Sequence, residues 1–125
     1  MAKYPKPIKR LLREFNGIAY ERELRAGLER LDQHFAAWRA SEIDSVELAH
    51  YVHTFERGRA RELFSFYFES RDHEHHVAYA IAVGIIDPAE TPPGLLESLE
   101  KRIERYKKKL EPRDSLPPEE TPVGL

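Results

Sequence analysis

From Ile8 to Ala40 the sequence carries no proline and repeats apolar residues at helical spacing, and this stretch limits the possible folds more than any other. Leu24, Leu28, Leu31, Phe35 and Trp38 follow one another at steps of 4, 3, 4 and 3, which places five side chains on a single stripe of an α-helix. Leu11, Leu12, Phe15, Ile18 and Ala19 hold an earlier, less strict stripe. Gly17 and Gly27 each cost about 1 kcal/mol relative to Ala in a helix interior, so a bend is expected near either. Unbroken, such a helix is about 48 Å long, whereas a compact domain of this size has a radius of gyration of about 13 Å. The helix therefore either bends or packs its free end on a partner helix, expected to come from a second copy of the chain.

The remaining segments also read as helices. Asp44-Ser-Val-Glu47 matches a capping box and opens a second helix, whose apolar face runs through Leu48, Val52 and Phe55. That face resumes at Leu63, Phe64 and Tyr67 after Arg57-Gly58-Arg59, where the glycine predicts a kink or short break. Phe66 and Phe68 add bulk that implies burial on more than one side. Asp72 or Ser70 caps a third helix through His76 to Ile86, apolar all round and hence central, ended by Asp87-Pro88. Thr91-Pro92 opens the fourth, with Leu96, Leu99, Ile103, Tyr106 and Leu110 as its stripe. No stretch alternates with period two, so the fold class is all-α: a bundle of about four helices with one long N-terminal helix. Three segments are expected: a basic arm (1–7), the helical bundle (8–111) and a Pro-rich flexible tail (112–125). Each clear leucine stripe spans only about two heptads, short of an autonomous coiled coil, which favours bundle packing, with the long first helix antiparallel to part of the second or fourth and the Val77 to Ile86 helix inside.

Composition narrows the functional classes. Of 125 residues, 41% are apolar, enough to bury a core, and the formal net charge of −2 removes the bulk attraction behind non-specific nucleic-acid binding. Nucleic acid is therefore not the expected partner, although Lys3, Lys6, Lys9, Arg10 and Arg13 form a basic arm at a helix start, where cations are unfavourable without an acidic neighbour. Cysteine is absent, which excludes disulfides, thiolate metal sites and a cysteine nucleophile. The longest apolar run, Val77 to Ile86, is too short to span a bilayer, and the N-terminus has no signal-peptide core; the expected location is cytoplasmic, with no membrane partner.

Three constellations could carry chemistry. Glu47 and His50, with His53 one turn on, match one Glu-x-x-His of a di-iron carboxylate bundle, but a complete site needs a second such pair and a Glu from each of two further helices, and no second Glu-x-x-His exists, so no metal and no cofactor is expected. His73, His75 and His76 form the densest imidazole cluster; adjacent residues on a helix point apart, so a solvated polar loop is the simpler reading. Arg57, Arg59 and Arg61 flank a glycine, and a helix restarting after Gly58 would add free N–H groups to an anion site. The cations Lys101, Arg102, Arg105 and Lys107 to Lys109 close a helix beside acidic partners and read as a solvated face. There is no phosphate loop, nucleophile elbow, zinc-protease motif or dinucleotide fingerprint, and no catalytic residue is singled out.

Ala19-Tyr-Glu-Arg-Glu-Leu-Arg25, Phe35 with Trp38, Glu42-Ile-Asp-Ser-Val-Glu-Leu48, His53 and Gly58-Arg-Ala-Arg-Glu-Leu63 together resemble a group of small bacterial helical proteins of uncharacterised function. The resemblance implies a bacterial, cytoplasmic, stand-alone helical protein and no catalytic role. It draws attention to Tyr20, Glu21, Arg22, Glu23, His53, Gly58 and Arg61 as a shared surface, or equally as helix-pairing salt bridges.

The expected function is a helical interaction or regulatory module, homodimeric and open to a further protein partner. The alternative is an anion or small-molecule binding protein, a hydrolase included, using His50, His53, Arg57, Arg59 and Arg61. Convergence of those five on one concave pocket favours the alternative, and their dispersal favours the module.

Overall fold

The computed structural model describes residues 4–110, so Lys3 of the basic arm and the expected tail at 112–125 lie outside it. Helix α1 (Lys6–Arg39) is continuous. Pro5 serves as its N-cap and Pro7 lies in its first turn, where a missing N–H leaves no partner unsatisfied, so the helix begins inside the segment expected to be an arm. Helix α2 (Ser45–Phe55) follows a short turn, with the Asp44 carboxylate accepting from the Glu47 N–H at 2.8 Å.

The second rod does not break at Gly58. It continues through π-helical winding at Glu56–Ala60, one α-helical stretch at Arg61–Leu63 and further π winding at Phe64–Glu69. The reason is written in the spacing. Phe55, Arg59, Leu63 and Tyr67 recur every fourth residue, and in a helix of 3.6 residues per turn that drifts by about 40° per turn, or about 120° by Tyr67. Winding with i→i+5 hydrogen bonds absorbs the extra residues and returns all four side chains to the same neighbour. No helix restarts after Gly58, so the free N–H groups expected beside the arginines do not arise.

The two rods run antiparallel, in a register read directly from their contacts. The Trp38 indole N–H donates to Ser45 Oγ at 3.0 Å and His34 stacks on Tyr51 with ring centroids 3.5 Å apart. Further along, Gly27 faces the Phe55 ring, Arg59 pairs with Glu23 at 2.5 Å, and Tyr20 stacks on Tyr67 at 5.5 Å. The free end of α1 thus pairs antiparallel with the second rod of its own chain.

Helix α3 (His73–Ala82) crosses the inner end of this hairpin and is buried at Val77, Ala78, Ala80 and Ile81. It stops four residues earlier than Asp87-Pro88 suggested. Gly84 adopts φ +89, its N–H bonds to the Ile81 carbonyl at 3.2 Å, and the Ile85 N–H bonds to Ala80 at 2.8 Å. This 6→1 and 5→2 pair is a Schellman stop, which requires the left-handed conformation that glycine adopts without strain. A 3₁₀ turn (Pro88–Glu90), closed by a complete Asp87/Glu90 capping box, leads to α4 (Pro93–Leu110). Leu95, Leu99 and Ile103 are the buried face of α4, one position off the expected start at Leu96. No strand occurs among the described residues, and the architecture is an all-α bundle with a long N-terminal helix.

The core occupies one end of the molecule. Leu12, Phe15 and Ala19 of α1 meet Leu63 and Tyr67 of the second rod, the buried residues of α3, Ile86, and Leu95, Leu99 and Ile103 of α4. Leu28, Phe35, Trp38, Leu48 and Val52 lie outside that cluster, on the part of the hairpin that extends beyond α3 and α4.

Candidate functional site

The five residues of the ligand reading do not converge. Arg59 turns inward between the rods, where its guanidinium meets Glu23 at 2.5 Å and Glu62 at 3.6 Å. Arg57 and Arg61 border a shallow, open depression with Ser65 and Phe66, and Arg61 lies 3.7 Å from Glu56. His53 borders a different groove, on the Trp38 side of the hairpin, while His50 is exposed and lines neither. Glu47, whose backbone is capped by Asp44, is exposed as well. Among the described residues no group of three or more His, Cys, Asp or Glu is arranged to hold a metal ion.

The imidazole cluster is not the solvated loop that its sequence suggests. His76 is 1% exposed, and its Nδ1 lies 2.7 Å from Asn16 Oδ1 while its Nε2 lies 3.1 Å from Ser70 Oγ. Asn16 donates through Nδ2 to the Tyr67 carbonyl at 3.0 Å, which turns its oxygen toward the ring. His76 therefore carries its proton on Nδ1 and accepts from the Ser70 hydroxyl at Nε2. Burial, reinforced by the neighbouring His75 and His73, pulls its pKa down to about 4. Burial also lowers His73. On the outer side, the Tyr106 hydroxyl bonds to the His75 ring, and Glu74 receives Arg102 and Tyr4.

The residues singled out by resemblance in α1 are engaged within the chain. Glu23 accepts from the Tyr67 hydroxyl at 2.6 Å as well as from Arg59, and burial together with that contact pushes the Tyr67 hydroxyl well above its ordinary range. Arg22 grips both oxygens of Glu90 at 2.7 and 2.8 Å and donates to the Ile85 carbonyl at 2.9 Å. Those bonds, with one from the Asp87 N–H, hold the Glu90 carboxyl down at about 2, and they raise the Arg22 guanidinium. Glu23, named in the sequence as one side of a helix-pairing salt bridge, pairs with Arg59 across the rods; Asn16, which joins His76 to Tyr67, drew no notice there, and its signal was a polar residue interrupting the inner stripe of a helix.

The feature left without cover is apolar. Counting about 100° per residue along α1, Leu12, Phe15 and Ala19 face α3 and α4, while Asn16, Tyr20, Glu23, Gly27 and His34 face the second rod. Leu28, Leu31 and Phe35 fall beyond that seam, nearly opposite the core, while Leu24 still packs against the core's edge. The most regular stripe of the sequence is thus the less buried one: Leu28 is 48% exposed and Trp38 38%. Across the seam Val52, 37% exposed, joins Leu48 and Ala49 to complete the walls of a groove of about 540 Å³ with Phe35 and Trp38. Glu56 links this groove to a second depression bordered by Ala60 and Phe64, and Phe64 stacks on Phe68 at 4.9 Å. Phe68, expected to be buried, is 67% exposed because α3 covers only the opposite side of the rod.

No helix among the described residues is long and apolar enough to cross a membrane. No family model, characterised protein or solved structure matches the chain.

Proposed function

We propose that the protein is a helical interaction module that associates with a second copy of itself through the extended part of its hairpin. The observation carrying this reading is the partly exposed apolar face formed by Leu28, Phe35 and Trp38 of α1 with Val52 of the second rod, set around the buried Leu48 and outside the main core. Two antiparallel helices with a shared apolar face form one layer of a bundle, and a second layer of the same kind completes it. Joining two copies by a shared patch is also the commonest closed assembly of soluble proteins. A bacterial cytoplasmic setting belongs to the same proposal and rests on the sequence resemblance alone.

Light scattering over a concentration series tests the reading. The expected mass is twice the 14.6 kDa of the chain, and Leu28→Asp is expected to return it to the single-chain value while leaving helicity unchanged. A single-chain mass at high concentration overturns it.

A further inference from the structure

We infer that the second copy docks with its α1 antiparallel to the first, crossing near Leu28 and Leu31, so that the two hairpins close a four-helix bundle about a two-fold axis. The inference rests on the self-association just proposed and adds its geometry. Its support is a line of charge along the outer edge of the apolar stripe.

Glu21, Arg25, Asp32 and Arg39 are separated by 4, 7 and 7 residues, close to whole turns, so they form one row beside Leu28 and Phe35. All four are exposed, and along the row the charge alternates in sign. When an identical row is laid against it in the opposite direction, Glu21 meets Arg39 of the partner subunit and Arg25 meets Asp32 of the partner subunit. The two-fold axis repeats both pairs, which makes four attractive contacts. With the helices parallel, the two-fold axis puts the two rows on opposite flanks of the contact, where they make none of these pairs. The Glu21–Arg25 contact at 3.1 Å within one chain is solvent-exposed, so exchanging it for pairs between copies costs little. The row thus selects orientation, while the apolar stripe supplies the attraction.

The absence of cysteine makes the geometry directly readable with the full-length chain. Glu21→Cys and Arg39→Cys are prepared separately and oxidised mildly, alone and as a mixture. The expected result is a disulfide-linked product in the mixture only, since each site lies far from its own copy. Separately, Asp32→Arg is expected to weaken dimerisation at least tenfold at low salt, with recovery when Arg25→Asp is added to it. Efficient cross-linking of Arg39→Cys alone, or a stable dimer that none of these changes affects, overturns the antiparallel arrangement and leaves self-association standing. A chain that stays monomeric at every concentration, including one that binds some other protein through this face, overturns both.

Discussion

His76 sits where its protonated form has no place to put a charge: it is enclosed by Asn16, Ser70 and Phe66, with two more imidazoles nearby. Its folded-state pKa of about 4 lies below the ordinary value of 6.5, so the unfolded chain binds a proton that the folded one refuses. The stability held by this residue is therefore complete above pH 6.5 and is lost as the pH falls through that value toward 4, by roughly 3 kcal/mol in all. Urea titrations at pH 7 and pH 4 check this: relative to His76→Gln, the native protein is expected to lose about that amount. The two glycines of α1 separate two other effects. A methyl group added at Gly17 meets nothing within 4 Å, so Gly17→Ala is expected to stabilise by about 1 kcal/mol through helix propensity. At Gly27 the same group comes within 3.0 Å of the Phe55 ring, and thermal unfolding of Gly27→Ala is expected to show that gain reduced or reversed.

At the scale of elements, two devices set where helices end and which way they face. Gly84, at φ +89, stops α3 and directs Ile86 into the core; Gly84→Ala is expected to destabilise by about 1 kcal/mol, measured by thermal unfolding. Arg22 ties the following 3₁₀ turn to α1, and Arg22→Ala is expected to speed hydrogen exchange at residues 85–90 without altering exchange in α2. These cases also mark how far the sequence could be read. Helix identity was legible because apolar spacing near 3.6 residues has few alternatives, and Asp44 and Asp72 were legible as caps. The π winding was not, since the step of four from Phe55 to Tyr67 looks like an ordinary helix until its drift is summed. The stop at Gly84 was masked by the apolar residues that continue past it. Periodicity also shows that Leu24 to Trp38 share a face without showing what covers that face. The candidate ligand residues failed to assemble for a related reason: alternate positions on one rod turn Arg59 inward to Glu23 while Arg57 and Arg61 share an outer depression, and His53 borders a separate groove.

Across the whole molecule, packing is uneven. One end packs all four helical rods around Leu63, Tyr67 and Val77, and the other holds two helices joined by a single seam. Amides of residues 28–52 are expected to exchange faster than those of α3 in dilute solution, and to gain protection as protein concentration rises; hydrogen exchange at two concentrations checks both parts. The position of Trp38 adds a practical consequence. It is the sole tryptophan, and it lies at the far tip of the hairpin with its indole bonded to Ser45. Tryptophan emission, excited at wavelengths where the six tyrosines do not absorb, is accordingly a local gauge of that tip, and a melting curve followed by it describes a different event from one followed by circular dichroism.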